Sequence, residues 1–142
     1  PARQMQNYQF LKCLNVNCKN VILKRHFGCT IDEVFGVTEY LKNVKNLWIC
    51  ERGVVTFDRR SDVRWRPDML AILELKQLGY KVIFDASHST GRREWVLPMA
   101  KAALALGVDG LMIECREDPE ESWSDKRQCV SLKELEKFMG EI

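Results

Sequence analysis

Four short apolar runs punctuate the chain, at Asn20–Leu23, Leu47–Cys50, Lys81–Phe84 and Gly110–Ile113. Each is rich in β-branched or large side chains and is bounded by polar residues. Short, near-continuous runs of this kind predict strands buried on both faces of a parallel sheet. Between them the apolar positions recur at helical spacing. Ile31–Val44 follows Thr30, a good N-cap, and carries Asp32 and Glu33 in its first turn, where acidic side chains meet the positive end of the helix. Pro67–Leu78 opens on proline and closes at Gly79. Glu94–Leu106 runs into Gly107, and Ser131–Met139 starts on serine and stops at Gly140. Gln6–Leu14 is also predicted helical. The order is a helix and then four strand–helix units, with strands roughly 30 residues apart, the spacing of βα units. The charge-dense stretch Arg59–Arg66 reads as a solvated loop.

Four parallel strands fit an open doubly wound sheet. They fit equally well half of a closed barrel, which needs eight strands and about 250 residues. Periodicity does not separate the two. A length of 142 residues suits one domain, and no linker or low-complexity stretch divides it. The hydrophobic share, 46%, supports a sizeable core. A net charge of +2 lacks the concentrated basic excess of a nucleic-acid binder. No apolar run reaches the length of a bilayer span, and no leader pattern is visible, so neither nucleic acid nor membrane is an expected partner. The first residue is Pro1 rather than Met, which leads us to expect further chain upstream. None of the six cysteines forms a Cys-x-x-Cys pair, and Cys50 and Cys115 fall in apolar runs. Reduced, partly buried thiols in the cytoplasm are expected, rather than disulfides or a zinc site.

In parallel α/β folds, functional groups collect where strands end. The first strand runs into Lys24-Arg25-His26, the second into Glu51-Arg52, and the third into Asp85-Ala86-Ser87-His88. The fourth runs into Glu114, with Asp125 in the following loop, and Arg3 precedes the first helix. Two constellations emerge. Arg3, Lys24 and Arg52 form a cationic set suited to a small anion bearing phosphate and carboxylate, because guanidinium groups grip both in bidentate fashion. His88, Glu114 and Asp125 form a nitrogen–oxygen–oxygen set suited to a divalent metal with positions left open for substrate.

Several motifs resemble one family in order and in register. They are Ala2-Arg3-Gln4-Met5-Gln6-Asn7, Leu23-Lys24-Arg25, Ile49-Cys50-Glu51-Arg52-Gly53 and above all Asp85-Ala86-Ser87-His88-Ser89-Thr90-Gly91-Arg92-Arg93. Pro98–Ala103, Asp109–Glu114, Pro119-Glu120, Ser124-Asp125 and Gln128 continue the match. Together they resemble the successive strand ends of the 3-deoxy-7-phosphoheptulonate (DAHP) synthases. The Glu-Arg-Gly motif is shared with the related 3-deoxy-manno-octulosonate 8-phosphate synthases, while Gly91-Arg92-Arg93 favours the DAHP branch. The resemblance implies a (β/α)8 TIM barrel of which this chain is the C-terminal half, about four βα units.

The resemblance also implies roles. Arg3, Lys24 and Arg52 would hold phosphoenolpyruvate, and Arg92 and Arg93 would contact substrate. His88, Glu114 and Asp125 would ligate a divalent ion (Mn, Fe, Co or Zn), joined by a Cys from the first half of the barrel. The family's Lys-Pro-Arg-Thr motif for erythrose 4-phosphate also belongs to that first half. The implied reaction is an aldol-like condensation of phosphoenolpyruvate with erythrose 4-phosphate, the first step of the shikimate pathway, with His88 and Lys24 as the catalytic side chains. Three positions depart from the family pattern: His26 in place of a usual Gly, Arg116 in place of a common His, and Lys126-Arg127 after Ser124-Asp125. Two further readings carry different expectations. One is a non-catalytic remnant or anion-binding module; the other is an octulosonate-type enzyme using arabinose 5-phosphate. Unpartnered strand edges of a half-barrel would favour association with itself or with a complementary N-terminal half.

Overall fold

Four of the apolar runs do form a parallel sheet. In the computed structural model, which describes residues 1–57 and 65–142, β1 (Asn20–Lys24), β2 (Asn46–Glu51), β3 (Lys81–Asp85) and β4 (Gly110–Met112) lie side by side in chain order. All three pairings are parallel. The helices between them are α1 (Tyr8–Asn17), α2 (Ile31–Thr38), α3 (Met69–Gln77), α4 (Ala86–Thr90), α5 (Arg93–Ala105) and α6 (Leu132–Glu141). Most of the run Arg59–Arg66 lies outside the described residues.

Local chemistry sets the helix ends. Thr30 and Ser131 each close a capping box, with Glu33 and Glu134 reaching back to the cap backbone. The helix expected from Pro67 begins at Met69 instead, because the Asp68 side chain accepts from the Ala71 N–H and so takes the cap position. The helix expected over Ile31–Val44 breaks into α2 and a 3₁₀ turn at Glu39–Leu41. The first helix starts two residues late, capped by Asn7, and the last runs through Gly140 to Glu141.

The core sits between one face of the sheet and the helices. Val21, Leu23, Ile49, Val82 and Phe84 meet Val34, Val37, Ile72, Leu75, Val96, Ala100 and Phe138 there. Burying each large side chain contributes roughly 1.5–3 kcal/mol. The opposite face differs from the expectation of two-sided burial. Val21 and Leu23 are 8% and 5% exposed, but Ile22 between them is 45% exposed. Ile22, Trp48 and Lys81 share that face through their register, and among the described residues no helical layer packs on it. The same face carries Lys24 and, one step further up the third strand, the buried Asp85.

A second ladder was not expected. β5 (Cys115–Arg116) pairs in parallel with β6 (Val130–Ser131), and the Val130 N–H bonds the Glu114 carbonyl at 3.0 Å. This ladder ties off the loop that bears Asp125. It also corrects the expectation for Cys115, which leaves the apolar run and is exposed, whereas Cys50 is fully buried. All six cysteines are free thiols. No helix among the described residues is long and apolar enough to cross a membrane.

Candidate functional site

Strand β3 delivers the centre of the site. Asp85, its last residue, caps α4 by accepting from the His88 N–H at 3.0 Å. Gly91, at φ 68, ends that helix after one turn. The turn swings His88 back over its own cap, and Asp85 accepts from His88 Nδ1 at 2.9 Å and from Lys24 Nζ at 2.7 Å. With Nδ1 bonded to Asp85, the ring is fixed so that Nε2 is presented outward. Asp85 is entirely buried. Burial pushes its carboxyl up, but the bonds from His88 and Lys24 outweigh that and hold it below the usual carboxylate range.

Nε2 of His88 faces two carboxylates, Glu114 Oε1 at 3.3 Å and Asp125 Oδ2 at 3.7 Å. One ligand atom from each of the three residues lies within 4.8 Å of the others. A divalent ion bound at about 2.0–2.2 Å from each donor separates its donors by roughly 3–3.6 Å; the His88–Glu114 distance of 3.3 Å falls in that range and the His88–Asp125 distance of 3.7 Å just outside it. Glu114 is steadied by Ser87 Oγ, which accepts from its N–H at 2.9 Å, and by Gln128 Nε2, which donates to its Oε2 at 3.2 Å. Asp125 stands at φ 54, in the left-handed region.

On the other side of His88 opens a cavity of about 590 Å³, lined by Arg3, Lys24, Phe27, Arg52, Trp65 and His88 among others. Arg3 reaches it from the 3₁₀ turn Ala2–Gln4. The cationic trio and the three-donor set therefore meet at one side chain, His88. The remaining two expected substrate residues point elsewhere. Arg92 Nη2 pairs with Glu94 at 2.6 Å and its guanidinium lies over the Trp95 ring, 4.5 Å from the centroid. Arg93 Nη2 donates to Glu120 Oε1 at 2.8 Å and to the Lys126 carbonyl at 3.3 Å. Arg93 thus grips the loop that carries Asp125, and neither arginine is among the residues lining the cavity.

Sequence reasoning gave no role to three residues that hold this site together. Asp85 is one; its signal was an Asp three residues before a His, the spacing of a side-chain cap. Arg25 and Glu51 are the others. Arg25 Nη1 donates to Glu51 Oε2 at 2.9 Å and Asp68 Oδ2 at 2.8 Å, and its Nε and Nη2 bond the Cys29 carbonyl. Glu51 Oε1 accepts from the Gly53 N–H at 2.7 Å, which fixes the turn just beyond Arg52. Burial pushes the Glu51 carboxyl up, and Arg25 offsets part of that. Beneath the site, burial and the nearby Asp85 push the Cys50 thiol up to about 12, so it stays protonated.

The low position of Asp85 fixes the sign of a pH effect. A carboxylate whose folded pKa is depressed contributes stability above its unfolded value of about 3.9, and loses it as pH falls through the folded value. The stability difference between the parent and Asp85→Asn is expected not to shrink from about pH 8 to about pH 5 and to shrink only in stronger acid, as Asp85 protonates. Urea unfolding of both proteins across that range measures it; a difference already shrinking near pH 6 would contradict the assignment.

The DAHP synthetase I family model matches residues 1–141. The chain is 34% identical to the phospho-2-dehydro-3-deoxyheptonate aldolase of Thermotoga maritima, over 99% of this chain and 42% of that protein. It is 38% identical to a 2-dehydro-3-deoxyphosphooctonate aldolase of Fusobacterium nucleatum, over 67% of this chain and 37% of that one. The crystal structure of the Thermotoga maritima DAHP synthase superposes with a TM-score of 0.93 at 33% identity, covering 99% of this chain and 42% of that chain. The chain thus spans less than half the length of these relatives, and its parallel sheet is the C-terminal half of their TIM barrel. On sequence and on fold alike, the chain belongs to the DAHP synthetase I family.

Proposed function

We propose that this chain carries the phosphoenolpyruvate-binding and metal-binding portion of a DAHP synthase, which condenses phosphoenolpyruvate with erythrose 4-phosphate and releases phosphate. The observation that carries the reading is the position of His88. It lines the cationic cavity and also stands within 3.3 Å of Glu114 and 3.7 Å of Asp125. An anion held by Arg3, Lys24 and Arg52 would lie directly beside the three-donor set.

The residues divide the work. Arg3 and Arg52 suit the phosphate and carboxylate of phosphoenolpyruvate, and offset negative charge as it grows during the reaction. Lys24 Nζ, fixed by Asp85 at 2.7 Å, adds a third positive charge and is available to give a proton to the aldehyde oxygen as the carbon–carbon bond forms. His88, Glu114 and Asp125 would hold a divalent ion of intermediate hardness, and Mn, Fe, Co and Zn all suit that donor set. Such an ion, when bound, supplies Lewis-acid polarisation of the aldehyde oxygen. The alkene carbon of phosphoenolpyruvate then bonds to the aldehyde carbon, water adds at the carbon bearing phosphate, and inorganic phosphate leaves. Six free thiols suit a reducing cytoplasm.

The test is phosphoenolpyruvate consumption in the presence of erythrose 4-phosphate. The first half of the Thermotoga maritima relative's barrel is supplied in cis or as a separate chain. Metal-dependent turnover that a chelator abolishes is expected, with little turnover by the 142-residue chain alone. Arg52→Ala is expected to weaken phosphoenolpyruvate use by about 1.5–3 kcal/mol, the range for a hydrogen bond to a charged group. Relatives of the octulosonate type support a second reading, in which arabinose 5-phosphate is the aldehyde. Running both aldehydes side by side distinguishes the two, and no turnover with either favours a non-catalytic binding module.

A further inference from the structure

Gln128 is polar, yet it is only 2% exposed, and it lies three positions beyond Asp125. A buried amide needs partners. Those of Gln128 are the two acidic residues of the site. Its backbone N–H bonds the Asp125 carbonyl at 3.0 Å, closing the 3₁₀ turn Lys126–Gln128. Its side-chain Nε2 donates to Glu114 Oε2 at 3.2 Å. One residue therefore joins both acids, through its backbone to one and through its side chain to the other. The turn that presents the Asp125 carboxylate, entered at φ 54, also brings the Gln128 amide to Glu114.

Glu114 has little freedom left. Its N–H donates to Ser87 Oγ at 2.9 Å, and its carbonyl accepts from the Val130 N–H at 3.0 Å. With the backbone tied on both sides, what remains is the setting of the carboxylate, and the Gln128 bond acts there. The two oxygens have different neighbours. Oε1 stands 3.3 Å from His88 Nε2, and Oε2 is the atom that Gln128 holds. A carboxylate can bind a metal through one oxygen or through both. The bond to Oε2 stabilises the setting that turns Oε1 toward His88.

We infer that Gln128 is a positioning residue that makes Glu114 a one-oxygen ligand. A coordination position that a two-oxygen carboxylate would fill is thereby left open. Catalytic metal sites keep such a position for a substrate oxygen. An alkyl side chain at 128 would leave Oε2 without this donor, and a carboxylate there would meet Glu114 with like charge. The inference rests on the proposed role of His88, Glu114 and Asp125 as metal ligands.

Co²⁺ binding to the full chain and to Gln128→Met tests it, because methionine keeps the bulk but cannot donate. Calorimetry reads the affinity. The visible absorption of the bound ion reads its coordination, since the bands weaken as the number of ligands rises. Gln128→Met is expected to bind Co²⁺ about 10–100-fold more weakly, the range for losing a group that orients a ligand. Its bands, per bound ion, are expected to be weaker than those of the parent as Glu114 swings to two-oxygen binding. Unchanged bands, at whatever affinity, overturn the inference and leave the metal site standing. A second readout needs no variant at position 128. One Gln128 side-chain amide proton should resonate downfield of an ordinary glutamine amide, return to the ordinary position in Glu114→Ala, and stay downfield when Zn²⁺ is added to the parent. Loss of the downfield shift on adding Zn²⁺ would mean that Glu114 turns both oxygens to the ion, and the one-oxygen assignment falls. If the parent binds neither ion, or if His88→Ala binds Co²⁺ as tightly as the parent, the three-donor reading fails and takes the inference with it.

Discussion

Replacing His88 with alanine is expected to lower turnover of the reconstituted enzyme far beyond the roughly 10–100-fold that loss of a group merely orienting a ligand costs. Nε2 is the single nitrogen donor of the trio, and removing it leaves Glu114 and Asp125 facing one another with no neutral ligand between them. The fold should weaken but survive. Asp85 bonds the imidazole through Nδ1, while the bond that caps α4 comes from the His88 backbone and survives the exchange. The bond lost is one to an ionised carboxylate, worth about 1.5–3 kcal/mol. Asp85→Asn is the informative companion, because it keeps the shape and the backbone cap but removes the charge that orients Nδ1 and Lys24. Its turnover should fall by about 10–100-fold. Metal content after dialysis, turnover and thermal melting, measured on both variants, separate the effects. A His88→Ala protein that binds metal as tightly as its parent would sink the three-donor assignment.

The largest loss of stability is expected elsewhere, at Glu51→Ala. The Arg25 and Glu51 side chains are 5% and 0% exposed, so the pair is out of water. Breaking such a pair by removing one partner costs about 3–5 kcal/mol, because the survivor keeps its desolvation penalty. Asp68 still contacts Arg25, but its side chain is 29% exposed and it already caps α3. Gly53 also loses the acceptor for its N–H, in a turn with φ +88. A fall in melting temperature of about 10–20 °C follows from that range for a domain of this size. Removing both partners together, as Arg25→Met with Glu51→Leu, should recover a large part of the loss, since no unpaired charge remains. A double variant as unstable as Glu51→Ala would mean that the Gly53 bond, not the ion pair, carries the effect.

Much of this was legible in the chain. Strand positions emerged to within a residue or two because β-branched runs bounded by polar residues have few other readings, and the parallel order followed from the helical spacing between them. The convergence of His88, Glu114 and Asp125 was legible because strand ends in such a sheet converge. The directions of Arg92 and Arg93 were not, because a motif gives residue types and not rotamers: Trp95 and Glu94 capture one, Glu120 and the Lys126 carbonyl the other. The cap made by Asp68 beat the expected start at Pro67, since a side-chain acceptor fixes a helix end more firmly than a favourable φ. The Arg25–Glu51 pair and the Phe27–Trp65 stack join residues far apart in sequence, and no local pattern announces such contacts.

The left-handed backbone at Asp125 carries a consequence for how such a chain can change. A residue with a Cβ pays about 1 kcal/mol to stand there, and glycine would not. Selection for durability alone would therefore drift toward glycine at this position, relaxing the loop at once. On the proposed ligand role of Asp125, what opposes that drift is the carboxylate 3.7 Å from His88, which glycine does not supply. Position 125 is thus a point where robustness and reactivity pull the same residue in opposite directions, and heat-adapted variants that remain active should gain their stability elsewhere.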